Sequence, residues 1–160
     1  IGGKTDPSEW GAVPTKRNST WDAATCDSKA NGYRLPTEVE WEWAARGGKN
    51  YTYAGSDTIG DVAWYTNNTR YSGSRDVKTK NKNGYELYDM SGNVYEWCWD
   101  RTGDISSDTP STGSNSGSNR VLRGGCWYFD AEKAQVDYRF DHDPFLRYSY
   151  YGFRVVCNAR

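Results

Sequence analysis

The chain has 160 residues, 36% apolar and 16% aromatic, with 20 basic against 21 acidic side chains and a net charge of -1. That balance gives no long-range attraction to nucleic acid or to an anionic membrane surface, and no apolar run approaches the roughly 18 residues that cross a bilayer. Eight Trp exclude a disordered chain, while seventeen Gly and a mean hydropathy of -0.96 predict one α+β domain with much irregular backbone.

Residues 1–18, with Gly2, Gly3, Pro7 and Pro14, read as a looped lead-in. The chain starts at Ile1 without a Met, which suits a processed or excised fragment. Ser19-Thr20-Trp21-Asp22 then has a hydroxyl and an acid three apart, a capping-box spacing, and predicts a helix over about 20–30 that ends at Asn31-Gly32. Thr37-Glu38-Val39-Glu40 repeats the signal, so a second helix is expected through Trp41, Trp43, Ala44 and Ala45 as far as Gly47-Gly48. From residue 49 the pattern changes to short β-favouring runs, Tyr51-Thr52-Tyr53, Val62-Ala63-Trp64-Tyr65 and Tyr85-Glu86-Leu87-Tyr88. Thr102 to Asn119, rich in Ser, Gly, Thr and Asp, reads as a long exposed loop. Val121 to Gly125 and Gly152 to Val156 read as two buried strands. They bracket CWYFDAEKAQVDYRFDHDPFLRYSYYGF (126–153), which holds all four Phe and the only His of the chain.

The four cysteines, Cys26, Cys98, Cys126 and Cys157, are too far apart for a local metal knuckle, where two thiolates lie two to four residues apart. They pair in one of three ways in an oxidising compartment, or stand as four separate buried or half-buried thiols. His142 lies between Asp141 and Asp143 and reads either as a general base or as an exposed loop residue; no nucleophile motif accompanies it. No phosphate-cradling glycine loop is present. The run Asp89 to Trp97 offers Asn, Glu and turn carbonyls, the hard oxygen donors that Ca²⁺ takes. The alternative is structural, with Asn93 supplying a turn and Glu96 a buried hydrogen bond or ion pair.

GYRLPTEVEWEWAARGG (32–48), NGYELYDMSGNVYEWCWD (83–100), RVLRGGCW (120–127) and YGFRVV (151–156), in that order, resemble the formylglycine-generating enzyme, or sulfatase-modifying factor, family. The resemblance implies a C-type-lectin-like fold with two helices, short twisted antiparallel strands and long loops. It spans about residues 15–157, and implies that the family's N-terminal section is missing. Enzymes of that family use a C-terminal cysteine pair with copper, and relatives use histidine-bound iron. Between Gly125 and Gly152 only Cys126 is found, so the resemblance supports the fold and argues against the chemistry. It also implies a structural calcium at Asn93, Val94 and Glu96. No catalytic residue or catalytic cofactor is expected.

The frame RVLRGG.W...A..A...YR....P..R....GFRVV is further similar to the variable proteins of diversity-generating retroelements. In those systems template adenines are replaced at random, so an Asn codon altered in its first two bases reaches Phe, Ser, Tyr, Leu, His or Asp but never Lys, Glu, Gln, Met or Trp. Tyr128, Phe129, Asp130, Phe140, Asp141, His142, Asp143, Phe145, Leu146, Tyr148, Ser149, Tyr150 and Tyr151 all fall in the reachable set, within a variable region of 120–156. Glu132, Lys133 and Gln135 do not. Tyr and Phe give rigid contact area while Asp, Ser and His give adaptable hydrogen bonds, the chemistry of a paratope. The expectation is a non-catalytic protein that displays these thirteen residues on one exposed face to a protein or other macromolecular ligand, outside a bacterial cell or on a phage particle. Nucleic acid and direct membrane insertion are not expected. Trp127, Tyr138 and Phe153 belong to the frame and are expected to be buried. A metal-dependent oxidase using Cys126 and Cys157, and a structural module with a fixed partner, are the alternatives.

Overall fold

The structure, a computed structural model, describes residues 6–9, 11, 12, 14–27, 29, 31–104, 106–110 and 112–158. Contacts gather the chain into two units: the residues before Leu35 with those from Cys157 onward, and Leu35–Val156. In the first unit a single 3-10 turn, Pro7–Glu9, precedes helix α1 (Ser19–Asp22) and strand β1 (Tyr33–Arg34). The helix expected over 20–30 is thus one turn long. The Asp22 carboxylate pairs with Arg17 at 3.1 Å, and Asp27 accepts the Lys29 amide at 2.9 Å, a local turn that competes with helix.

The second unit opens with helix α2 (Glu38–Arg46), which starts and stops where the sequence predicts. The Thr37 hydroxyl accepts the Glu40 amide at 3.3 Å, while Glu40 takes the Thr37 amide at 2.8 Å. Gly47 closes the helix in the left-handed region (φ 56°), with no room for a side chain because a Cβ there would lie 2.8 Å from the Gly84 nitrogen. Helix α3 (Ile59–Val62), strand β2 (Ala63–Trp64) and helix α4 (Thr66–Thr69) follow, each a turn or less; β2 runs parallel to β3 (Ser91–Gly92). The main sheet contains β4 (Tyr95–Arg101), β5 (Arg120–Arg123), β6 (Phe140–His142) and β7 (Tyr151–Phe153) in the order β6-β5-β4-β7. β5 is antiparallel to β4 and β6, and β7 is parallel to β4. The short strand β8 (Val156–Cys157) ends the described structure.

Alternation along the strands splits the core between the two faces of this sheet. Val121 and Cys98 pack with Trp41, Ala45, Ala54, Met90 and Val136 on the α2 side. Leu122 packs with Tyr95 and Cys126 on the other, and against this second cluster lie Trp97, Phe129, Phe140, Tyr150 and Tyr151. The fold is therefore a small α+β architecture with a mixed sheet, and its aromatic face is the one turned away from the longest helix.

Three expected strand features differ. Tyr51-Thr52-Tyr53 contributes one bridge, Tyr53 to Ser56. Tyr85 to Tyr88 is a turn, because the Asn83 carboxamide oxygen accepts the amides of Tyr85 and Leu87 at 2.9 and 3.0 Å and Glu86 has φ 62°. Gly152 to Val156 is not a buried strand: β7 is an edge strand, and Phe153 at its end is 69% exposed, since no other ring packs on it among the described residues. The loop between Thr102 and Asn119 is found as expected, tied down where buried Ser114 donates its amide to Asp100 at 3.0 Å.

Candidate ligand-binding face

The stretches that hold the thirteen sequence-predicted residues are bracketed by arginines whose charge is satisfied on the scaffold. Arg123, at the end of β5 and 1% exposed, meets Glu42 at 2.5 Å and Glu38 at 3.4 Å and donates to the carbonyls of Val136 and Asp137. Arg139, one residue before β6, donates to both oxygens of Glu38 and to the carbonyls of Thr102 and Gly103. Arg154, one residue after β7, donates from Nε and Nη2 to Glu96 at 3.0 and 2.8 Å and to the Tyr88 carbonyl. Glu96 also accepts the Trp41 indole N–H at 2.7 Å. Buried charges are tolerated only when paired in this way. The cross-links fix the backbone on both sides of the segments between them.

Those segments converge on one aromatic cluster. Tyr148 and Tyr150 are stacked with ring centroids 5.0 Å apart and planes at 4°, and Tyr150 and Tyr128 are stacked at 5.7 Å and 13°. Tyr151 meets Tyr150 and Tyr148 edge-on at 5.1 and 5.2 Å. Phe129 and Phe140 lean on Tyr95 at 6.0 and 5.3 Å, which seats the cluster on the sheet. Such edge-to-face and offset contacts are favourable beyond area burial alone. Burial pushes the hydroxyls of Tyr95 and Tyr151 well above the usual phenol range.

None of the thirteen sequence-predicted residues is buried. Tyr128, Asp130, Phe145, Tyr148 and Ser149 are exposed, and Phe129, Phe140, Asp141, His142, Asp143, Leu146, Tyr150 and Tyr151 are half-buried. Ring contacts join Tyr128, Phe129, Phe140, His142, Tyr148, Tyr150 and Tyr151. Asp141 accepts the Asn119 carboxamide N–H at 2.7 Å, and Asp143 accepts the Phe145 amide at 3.0 Å. Of the frame residues, Trp127 is buried and Tyr138 half-buried, with the Lys133 ammonium 4.4 Å from its ring centre.

His142 is a strand residue, not an exposed loop residue. It lies 5.9–6.1 Å from the rings of Phe140, Tyr148 and Tyr151, and its Nδ1 accepts the Asp143 amide at 3.1 Å. Its neighbours are those of a packed surface side chain. All four cysteines are free thiols, as the second of the two alternatives has it, with Cys98 and Cys126 buried and Cys26 half-buried; Cys157 departs from it in being exposed. Burial pushes the Cys126 thiol up to about 11.

The residues expected to hold calcium do not fit the ion. Asn93, in the left-handed region (φ 62°), accepts the Arg75 amide at 3.0 Å and donates to the Arg75 carbonyl at 3.1 Å. Both Glu96 oxygens are held by Arg154, so a cation would have to displace a guanidinium from a buried carboxylate. The structural alternative, a turn at Asn93 and a buried ion pair at Glu96, is what the side chains form. Among the described residues no group of three or more His, Cys, Asp or Glu is placed to hold a metal.

The sequence reading missed Tyr71, which lies outside residues 120–156 but meets Tyr128 edge-on at 5.2 Å and is 62% exposed. Only its place after a Thr-Asn-Asn-Thr turn signals it, and nothing local links residue 71 to residue 128.

Residues 3–159 match the model of the sulfatase-modifying factor enzyme 1-like domain. Among solved structures, Treponema denticola variable protein 1 superposes with a TM-score of 0.84 at 43% identity, over 91% of this chain and 54% of that one. The chaperone protein LppX of Paenibacillus barcinonensis is 36% identical over 78% of this chain and 49% of its own length. The formylglycine-generating enzyme of Streptomyces coelicolor is 33% identical over 88% of this chain and 51% of its own length. The chain thus spans about half the length of these relatives, among which are an enzyme and a variable protein.

Proposed function

The chain belongs to the sulfatase-modifying factor enzyme 1-like family, and on that premise we propose that it is a non-catalytic binding protein whose ligand is chosen by a retroelement-diversified C-terminal surface on a C-type-lectin-like scaffold. The observation that carries the reading is the arrangement of the thirteen reachable residues. Seven of them form one aromatic cluster, five of the thirteen are exposed and eight half-buried, and the backbone between them is pinned by Arg123, Arg139 and Arg154. Rings that change while their anchors stay constant give a new surface without a new fold. The likeness to a variable protein, at 43% identity, supports this reading.

The enzyme reading needs a reactive thiolate. Cys126 is 1% exposed with its thiol held up near 11, the opposite of the electropositive, accessible setting that activates a cysteine. No catalytic cofactor is invoked, and display takes place outside a bacterial cell or on a phage particle.

The test is to sequence the locus and a population of its descendants. An adjacent reverse transcriptase, an adenine-rich near-copy of the codons for 121–156, and substitutions concentrated at the thirteen positions are expected. A locus without the near-copy and a population with evenly spread substitutions would refute diversification. Copper-dependent oxidation of a cysteine peptide by the purified protein would establish the oxidase instead.

A further inference from the structure

Tyr71 is a bulky residue with φ 61°, following Arg70 with φ 51°. Two consecutive non-glycine residues in the left-handed region are costly, and such strain persists where the surroundings impose it, often at a binding site. The surroundings here are specific. On the N-terminal side, α4 is tied to the first variable stretch: the Thr66 amide donates to the Phe129 carbonyl at 3.1 Å, and the Thr69 hydroxyl donates to the Trp127 carbonyl at 2.7 Å. On the C-terminal side, Asn93 holds both the amide and the carbonyl of Arg75, and Arg75 donates to the Ser72 hydroxyl at 2.7 Å. These contacts hold the segment that presents the Tyr71 ring to solvent.

The ring extends the row of stacked tyrosines by an edge-on contact with Tyr128. From Tyr71 to Tyr128 the centroids are 5.2 Å apart, from Tyr128 to Tyr150 5.7 Å, and from Tyr150 to Tyr148 5.0 Å. Tyr71 and Tyr148, at the ends, are 62% and 44% exposed. An aromatic row of this breadth, open along its length, suits a macromolecular surface better than a small molecule enclosed in a pocket.

We infer that the binding face extends beyond residues 120–156 to Tyr71, so that a protein ligand is gripped by one constant ring as well as by diversified ones. This rests on the binding function proposed above. A constant anchor explains how many different variable surfaces keep a common minimum of contact area: rigid aromatic side chains are the residues that dominate interface energetics.

The test uses the full chain displayed as a library with the thirteen positions randomised and Tyr71 retained, selected against purified streptavidin and, separately, purified lysozyme. Independent binders from each selection are then remade with Tyr71→Ala and with Tyr71→Leu, which keeps bulk without a ring. Affinity losses of about tenfold or more in most binders, with Tm moved by less than about 2 °C, are expected. Binders that keep their affinity within about twofold on both substitutions overturn the role of Tyr71 and leave the variable face standing. A library that yields no binder to either protein overturns the binding function itself, and this inference with it.

Discussion

Arg139 donates from Nε to both carboxylate oxygens of Glu38, at 2.9 and 2.8 Å, tying the residue that leads into β6 to the first turn of α2. Glu38 is 2% exposed and also faces buried Arg123, while its own amide donates to Asp100 at 2.6 Å. Removing one partner of a buried pair strands the other. Arg139→Met should therefore cost about 3 kcal/mol, at the low end for a buried pair because the arginine side chain is 30% exposed. Urea denaturation of the two proteins measures it; a change below about 0.5 kcal/mol would show that the link carries no stability.

Gly125→Ala tests the turn between β5 and the first variable stretch. Gly125 has φ 71°, and a Cβ there would lie 2.6 Å from the Lys133 carbonyl oxygen and 2.8 Å from the Ala134 nitrogen. Those are backbone atoms that cannot swing aside, so the substitution combines left-handed strain with a clash and should cost more than about 2 kcal/mol. An alanine variant with wild-type Tm would mean that the turn relaxes freely.

The thiols should react in a fixed order. Exposed Cys157 is expected to react with Ellman's reagent at pH 8 in the native protein, whereas Cys98 and Cys126 should react only after denaturant is added, because burial both shields them and disfavours the thiolate. Rapid native labelling of Cys126, located by mass spectrometry, would revive it as a nucleophile.

Cys126 also sets an alkaline limit. Its folded thiol lies near 11 against an ordinary 9, so the native state holds the proton more tightly than the unfolded state. Stability from this group is complete below pH 9 and is lost as pH rises through 11, about 2–3 kcal/mol in all. Tyr95 and Tyr151, raised further, add their losses above pH 10. Cys126→Ser, which does not titrate, should flatten the fall between pH 9 and 10; an unchanged slope there would assign the alkaline loss to other groups.

What was legible in the sequence was what is local. Both ends of α2 could be read because Thr37, Glu40 and Gly47 satisfy the helix termini within a turn. The helix expected after Ser19 failed on an equally local ground, the turn Asp27 makes with Lys29, which outcompetes a weak apolar pattern. Codon reach separated thirteen positions from the frame around them, but it carried no trace of what ties the frame residues to the scaffold. The Arg139 to Glu38 and Arg154 to Glu96 links join residues 101 and 58 positions apart, and no window of sequence holds both partners. The same distance hid Tyr71, and it hid the pairing of Glu96 with Arg154, which a calcium ion would have to displace. Phe153 was misplaced because apolar content marks a strand but not whether that strand lies at an edge.

The thirteen positions should not be equally free to change. Phe129, Phe140 and Tyr151 pack against the buried trio Tyr95, Leu122 and Cys126, whereas Asp130, Tyr148 and Ser149 are exposed and outside that packing. Truncating a ring in the first group removes apolar area and opens a gap over the sheet. Phe140→Ser should therefore cost about 2–3 kcal/mol, below the 3–5 of a fully buried Phe because the ring is half-buried. Asp130→Asn and Ser149→Tyr should each stay within about 0.5 kcal/mol, and Tyr148→Ser, which loses the ring contacts with Tyr150 and Tyr151, should cost about 1 kcal/mol. Melting curves of these single variants decide the matter. If Phe140→Ser is as neutral as Ser149→Tyr, the packing under the face is not needed for stability. If the split holds and the surface is diversified as proposed, copies should favour large apolar residues at 129, 140 and 151 and vary without bias at 130 and 149, because a copy whose face fails to pack is lost before its ligand can select it.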